Sequence, residues 1–70
     1  MEKLNLKIGK KIRSLRVEKG YSQEKLAEMS NLHRNYIGMV ERGEKNITVE
    51  KLSQILDSLN LTLEKFFEEI

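Results

Sequence analysis

Apolar residues recur at intervals of three and four positions along much of the chain, which is the spacing of one face of an α-helix. A first helix is predicted to begin near Leu4 and to end at Gly20, with an apolar face made of Leu4, Ile8, Ile12 and Leu15. The same spacing predicts a fourth and a fifth helix, with apolar residues Val49, Leu52, Ile55, Leu56 and Leu59, and then Leu63, Phe66, Phe67 and Ile70.

Two shorter helices are predicted between these, from Gln23 to about Met29 and from about Arg34 to Glu41. Residues whose side-chain oxygen can cap a helix precede three of the helices, namely Ser22, Thr48 and Thr62. Residues that tolerate a left-handed backbone follow the helices, namely Gly20, Asn31, Gly43 and Asn60. The predicted fold is therefore all-α, with five helices in a single domain over residues 1–70 and with no repeat and no linker.

The segment 23–42 has the residues that two short, steeply crossing helices need. Ala27 is small enough to let the second and third helices approach closely, and Asn31 suits the left-handed position of the turn between them. Four apolar residues would fill the angle between the helices, namely Leu26, Leu32, Ile37 and Val40. This pattern predicts a helix-turn-helix unit, whose second helix is free to enter the major groove of DNA.

The outward face of that third helix is predicted to carry Arg34, Asn35, Gly38 and Met39. Arginine can bond guanine through two hydrogen bonds, and asparagine can do the same with adenine. A glycine on an exposed helix face costs roughly 1 kcal/mol relative to alanine. We therefore interpret Gly38 as a position that lets DNA come close to the helix.

The composition excludes several classes of function. The 70 residues include no cysteine and one histidine, so neither a disulfide nor a zinc or haem site can be built, and we expect no metal and no cofactor. No nucleophile–base pairing and no glycine-rich phosphate loop is evident, so an enzyme is not expected. No apolar run reaches the length of a membrane span, and a cytoplasmic protein without a membrane partner is expected.

Charge and size suggest the partners. Residues 1–20 carry seven Lys or Arg against two Glu, whereas residues 61–70 carry one Lys against three Glu. One end of the chain would therefore attract a polyanion such as DNA, although a lysine-rich solvated helix face explains the same charges. A chain this short builds a marginal core, and self-association is the support left to it without disulfides or metals. A homodimer is the resulting expectation.

Several segments resemble the Cro/C1-type helix-turn-helix family, also called the xenobiotic-response-element (XRE) family, over about residues 8–67. They are Ile12-Arg13-Ser14-Leu15-Arg16, Gly20 to Ala27, Tyr36-Ile37 and Glu41-Arg42-Gly43. The resemblance implies a compact lambda-repressor-like domain of five helices that binds DNA and regulates transcription. Within the family, Asn31 to Ile37 and Glu41 to Thr48 resemble the controller proteins of restriction–modification systems, small dimers that bind operator DNA and control their own gene and the endonuclease gene.

The resemblance also implies roles for individual residues. The base-facing positions are matched by Arg34, Asn35 and Met39, and the positions at or near the DNA backbone by Gln23, Tyr36, Lys45 and Asn46. A charged pair that ties the first helix to the end of the third is matched by Arg16 and Glu41. Two residues depart from the family pattern. His33 replaces the usual capping residue, so weaker capping is expected, and Met39 replaces a polar residue and would touch a thymine methyl.

The dimer interface is predicted to comprise Leu63, Phe66, Phe67 and Ile70. Because Phe66 and Phe67 are adjacent, only one of them can face fully inward, and the other is available to a second copy. A twofold dimer would place two recognition helices about 34–36 Å apart, one turn of DNA, and would bind a palindromic operator. RNA polymerase is kept as a further candidate partner.

Other functions fit the same sequence. A phage-type repressor and the antitoxin of a toxin–antitoxin pair are the alternatives within the DNA-binding class. An adaptor that keeps the fold but lacks base readout is the alternative from a different class. Such an adaptor would bind no specific DNA and would offer the surface of Phe66, Phe67 and Ile70 to a protein partner.

Overall fold

Five helices make up the part of the chain that the computed structural model describes, residues 3–70, and no strand occurs there. They are α1 (Leu4–Glu18), α2 (Gln23–Ser30), α3 (Arg34–Glu41), α4 (Val49–Ser58) and α5 (Leu63–Glu68). This confirms the predicted all-α fold, with helix boundaries close to the expected ones. The first two residues of the predicted domain, 1–70, lie outside the described residues.

Local capping explains where these helices begin and end. The hydroxyl groups of Ser22, Thr48 and Thr62 each accept a hydrogen bond from the amide three residues later, at 2.9 to 3.1 Å. Each bond satisfies a backbone donor that the first helical turn leaves without a partner. The left-handed residues at helix ends are Gly20, Asn31, Gly43 and Asn60, with φ between 57° and 76°. The predicted caps are confirmed.

Side chains from all five helices form one core, with Ile12, Leu26, Ile37, Ile55 and Phe66 among its fully buried members. Two residues of the predicted apolar faces lie outside this core. Leu4 is 60% exposed and Val49 is 68% exposed. Both are the first residues of their helices, where no preceding turn of the same helix lies over the core, so helical spacing alone does not bury them. Among the described residues, no helix has the length and apolarity to cross a membrane.

Of the adjacent residues Phe66 and Phe67, only one side chain is buried, as predicted. Phe66 is fully buried, whereas Phe67 remains 44% exposed. Their rings meet edge to face at 5.2 Å between centroids, an arrangement favoured by the quadrupoles of aromatic rings. Phe66 therefore belongs to the core of its own chain, and its place in the predicted dimer interface is corrected.

A backbone contact between α1 and α3 sets the position of the third helix. A Cβ added to Gly9 would overlap the carbonyl oxygen of Val40 and would lie 2.8 Å from that of Glu41. Only glycine therefore lets α1 cross directly over the last turn of α3. This role of Gly9 was not predicted, because a glycine inside an apolar helical pattern has no local signature of a helix crossing.

We predict that Gly9→Ala destabilises the fold by about 1–3 kcal/mol, because the added methyl group must push two packed helices apart. Alanine is the better helix former, so a net loss of stability would report the crossing and not helix propensity. Urea unfolding followed by far-UV circular dichroism measures the change. Ser14→Ala, at an exposed position of the same helix, is the control and should shift stability by less than about 0.5 kcal/mol. Equal unfolding midpoints for the two variants would contradict the prediction.

Candidate nucleic-acid interface

A three-residue turn, residues 31–33, joins α2 to α3. Asn31 is left-handed with φ 59°, and the amide of Leu32 donates to the carbonyl oxygen of Ala27 at 2.9 Å, which closes the end of α2. Ala27 is buried between the helices, as are Leu26 and Ile37. The inner face of α3 thus packs on α1 and α2. Its opposite face is left open by the described residues and carries Arg34, Asn35 and Met39.

A buried ion pair fixes α3 against the rest of the molecule. The Arg16 guanidinium donates to both oxygens of Glu41, with Nε–Oε2 at 2.6 Å and Nη2–Oε1 at 3.1 Å. Their side chains are only 11% and 2% exposed. Arg16 Nη1 also donates to the carbonyl oxygen of Tyr21 at 2.8 Å, and Gln23 Nε2 donates to Glu41 Oε1 at 3.1 Å. The Glu41 carboxylate therefore joins α3 to α1 and to the first residue of α2, while Arg16 also binds the loop before α2.

The recognition helix α3 begins with a histidine cap. His33 Nδ1 accepts a hydrogen bond from the amide of Asn35 at 3.1 Å, so the imidazole replaces the usual oxygen acceptor. The structure thus supplies an acceptor at this helix start, and the prediction that His33 caps more weakly than the usual residue stays a prediction. The backbone of Asn35, whose side chain is exposed, is therefore held by this hydrogen bond.

Arg34 is exposed on the same face and is bound to the neighbouring helix. Its Nη1 lies 3.0 Å from Glu24 Oε1, and the two side chains are 61% and 71% exposed. An exposed pair of this kind contributes only about 0–1 kcal/mol. Because arginine has five N–H donors, this contact leaves most of them available to an acceptor outside the chain.

Gly38 is buried, so the prediction that it lies on an exposed helix face is wrong. The side chain of Arg42 lies over it. A Cβ at Gly38 would sit 3.1 Å from Arg42 Nη1 and 3.7 Å from Gln23 Oε1. Arg42 is held by two hydrogen bonds to Glu44, Nε–Oε2 at 3.0 Å and Nη2–Oε1 at 3.2 Å. These hydrogen bonds lower the pKa of Glu44, so its carboxylate stays ionised.

The outer face of α3 forms one side of a cleft of about 390 Å³. The cleft is lined by Gln23, Arg34, Asn35, Gly38, Met39 and Arg42. Four predicted DNA-contacting residues, from two helices, thus lie together. Arg42 was not predicted as a site residue, because its only sequence signal was its place in a family motif. Its spacing of four residues from Gly38 is a signal that could have placed it on this face.

The other predicted backbone contacts lie outside this cleft. Lys45 and Asn46 are exposed in the loop that follows α3. Tyr36 is half-buried against the core, and burial raises the pKa of its phenol, which therefore keeps the proton that it could donate to an oxygen acceptor. The described residues include no group of three or more His, Cys, Asp or Glu that could hold a metal ion.

The chain is similar in sequence to known regulators. The family model described as Helix-turn-helix matches residues 12–66. The control protein C.SmaI of Serratia marcescens is 45% identical over 58 residues, which cover 83% of this chain and 69% of that protein.

Solved structures of two restriction–modification controller proteins also resemble this chain. The restriction–modification controller protein C.AhdI from Aeromonas hydrophila matches with a TM-score of 0.86 and 38% identity, over 90% of this chain and 96% of that one. The controller protein C.Esp1396I, solved as a tetramer in complex with its natural 35 base-pair operator, matches with a TM-score of 0.90 and 39% identity, over 99% of this chain and 91% of that one. The five-helix architecture is therefore shared with proteins of this kind.

We predict that Arg16→Met destabilises the fold by about 3–5 kcal/mol, because it leaves the Glu41 carboxylate buried without its countercharge. The double variant Arg16→Met/Glu41→Leu should recover part of that loss, since no unpaired charge then remains. Denaturant unfolding measures both. Arg13→Met, which removes an exposed charge from the same helix, is the control. A double variant less stable than Arg16→Met alone would contradict this account of the pair.

Proposed function

We propose a function from the premise that this chain belongs to the helix-turn-helix family: it is a DNA-binding transcriptional regulator of the restriction–modification controller kind, and it binds a palindromic operator as a homodimer. The observation that carries the proposal is the open outer face of α3. There, exposed hydrogen-bonding side chains stand on a helix that a buried ion pair holds outward. Such a helix fits the major groove of B-DNA, which is about 12 Å wide.

Base readout is assigned to Arg34, Asn35 and Met39. Arg34 keeps enough donors beside its contact with Glu24 to bond the O6 and N7 acceptors of guanine. Asn35 has an amide that can both donate to N7 and accept from N6 of adenine. Met39 offers a thioether chain for contact with a thymine methyl group. Because these residues lie within six positions of one helix, each protomer reads a short half-site.

Backbone contacts would fix the register of the helix in the groove. Gln23 opens α2 and uses one amide hydrogen on Glu41, which leaves the other for a phosphate oxygen. The amides and dipole at the start of a helix favour a phosphate at the same place. Tyr36, Lys45 and Asn46 complete this proposed set, as a phenol donor and two exposed loop residues. Contacts of this type position the protein and carry no sequence information.

The second copy is proposed to bind at α5. Phe67 and Ile70 are exposed apolar residues there, and Leu63 is half-buried beside them. The end of α5 is held on α1 by an ion pair between Lys11 Nζ and Glu69 Oε1 at 2.7 Å, and the hydrogen bond from Lys11 lowers the pKa of Glu69. The apolar surface therefore stands on a fixed helix, which favours a defined twofold dimer.

The proposal also covers place and partners. A regulator of operator DNA would work in the cytoplasm beside the chromosome, and it would act by binding alone, without catalysis. RNA polymerase would be a further partner if the bound dimer activates transcription. Support for these points comes from the class of regulator to which the chain is similar.

We predict that Arg34→Ala/Asn35→Ala weakens binding to a palindromic duplex from upstream of the gene by about 30-fold or more, because removal of each bidentate contact costs about 1–3 kcal/mol. Binding to an unrelated duplex should fall much less. Fluorescence anisotropy with labelled duplexes measures both, and circular dichroism checks the helices. Lys65→Ala, on α5, is the control for the removal of a positive charge. Specific binding by the double variant equal to that of the wild type would refute the assignment.

We predict that Phe67→Glu shifts the dimer towards monomer, because it places a charge in an apolar contact between copies. Sedimentation velocity over a range of protein concentrations measures the shift. Glu64→Gln, at an exposed position of the same helix, should leave the association unchanged. If Phe67→Glu sediments as the wild type does at every concentration, the dimer uses another surface.

A further inference from the structure

We propose that Arg42 is a third base-reading residue, which donates end-on to a guanine in the major groove while Glu44 holds the guanidinium from the side and Gly38 leaves room for it. This inference rests on the proposed function, since it needs α3 to lie in the groove. It adds a specificity-determining residue and a positioning residue that the family resemblance did not supply.

The location of the guanidinium is the first observation. Arg42 follows the last residue of α3. Its side chain runs back along the outer face, because helical side chains lean towards the N-terminus of the helix. Nη1 comes to lie over Gly38, one turn earlier, in the cleft that also holds Arg34 and Asn35. Arg42 therefore presents its charge at the middle of the recognition helix.

The donors left on Arg42 are the second observation. Of its five N–H groups, Glu44 accepts those of Nε and one of the two on Nη2. Both hydrogens of Nη1 and one of Nη2 remain, and one hydrogen from each of these nitrogens forms the end edge of the planar guanidinium. That edge presents two donors side by side, as the O6 and N7 acceptors of guanine require. A carboxylate on one edge and a guanine on the other together accept four of the five N–H groups.

Glu44 gives the arginine a defined direction. A bidentate arginine–carboxylate pair has fixed geometry, so the guanidinium plane is set before DNA arrives. The ordering of a long side chain is then partly complete in the free protein, which lowers the entropic cost of binding. The carboxylate also repels phosphate oxygens from the side edge. The pair therefore favours a base edge over the DNA backbone as the acceptor.

Gly38 gives the guanidinium room to lie against the helix. A Cβ there would lie 3.1 Å from Nη1, closer than ordinary packing, so the end of the Arg42 side chain would have to shift by a few tenths of an ångström. Glycine inside a helix costs about 1 kcal/mol relative to alanine. The group that comes close to Gly38, and so explains a glycine at this position, is thus the side chain of Arg42.

The test measures preference at each base pair. Wild type, Arg42→Ala, Glu44→Gln and Gly38→Ala are bound to an operator palindrome in which every position of the half-site is changed in turn, with Lys65→Ala as the control. Arg42→Ala should lose the preference for one guanine and keep the preferences at all other positions. Its affinity for the unchanged operator should fall about 5- to 150-fold per half-site, the worth of one bidentate contact.

Glu44→Gln and Gly38→Ala distinguish a role in positioning Arg42 from a role in stability alone. Glu44→Gln adds net positive charge and should bind unrelated DNA at least as tightly as the wild type, yet its guanine preference should fall. Gly38→Ala should unfold at the same or a higher temperature and lose part of the same preference. In the Arg42→Ala background, neither change should alter the preference further, because both act through Arg42.

Three outcomes would overturn the inference. Arg42→Ala with the wild-type preference at every position shows that Arg42 reads no base. An equal weakening on all sequences makes Arg42 a phosphate ligand instead, and the slope of log affinity against log salt concentration then falls by about 0.9 for each phosphate that is no longer neutralised. Wild-type protein that prefers no operator position overturns the proposed function together with this inference, and only that result does so.

Discussion

The bidentate pair between Arg16 and Glu41 is the interaction on which the rest of the structure depends. Glu41 lies in the last turn of α3, where the helix dipole disfavours a carboxylate, and it is almost wholly buried. Arg16 supplies the countercharge, and Gln23 bonds the same carboxylate from α2. Since Gly9 lets α1 touch the backbone of this same turn, the end of α3 is held by both charge and packing. The outward face of the recognition helix follows from that constraint.

The arginines of the recognition face share a second constraint, because each is paired with a carboxylate of its own chain. Glu24 holds Arg34, and Glu44 holds Arg42. The formal net charge of the chain is only +2, so general attraction to the phosphate backbone is modest. Under the proposed function, base edges would replace or complement these internal partners.

A small core limits what one copy can do. Phe66 closes the core from α5, and the adjacent Phe67 is left on the surface beside the end of the chain. A chain of this size benefits from burying such a residue against a second copy, and a short recognition helix benefits from being doubled on DNA. The stability of the small core and the specificity of DNA binding would therefore both gain from the proposed dimer.

The sequence by itself determined the number of helices, their ends and the helix-turn-helix, because periodicity and capping depend on residues within a few positions of each other. It also identified Arg16 with Glu41, and the face of Arg34 and Asn35, through a motif that spans the fold. Only the tertiary structure decided that Gly9 marks a helix crossing, that Phe66 and not Phe67 enters the core, and that Gly38 supports the side chain of Arg42. These outcomes depend on which surfaces meet in space, and no local pattern encodes that.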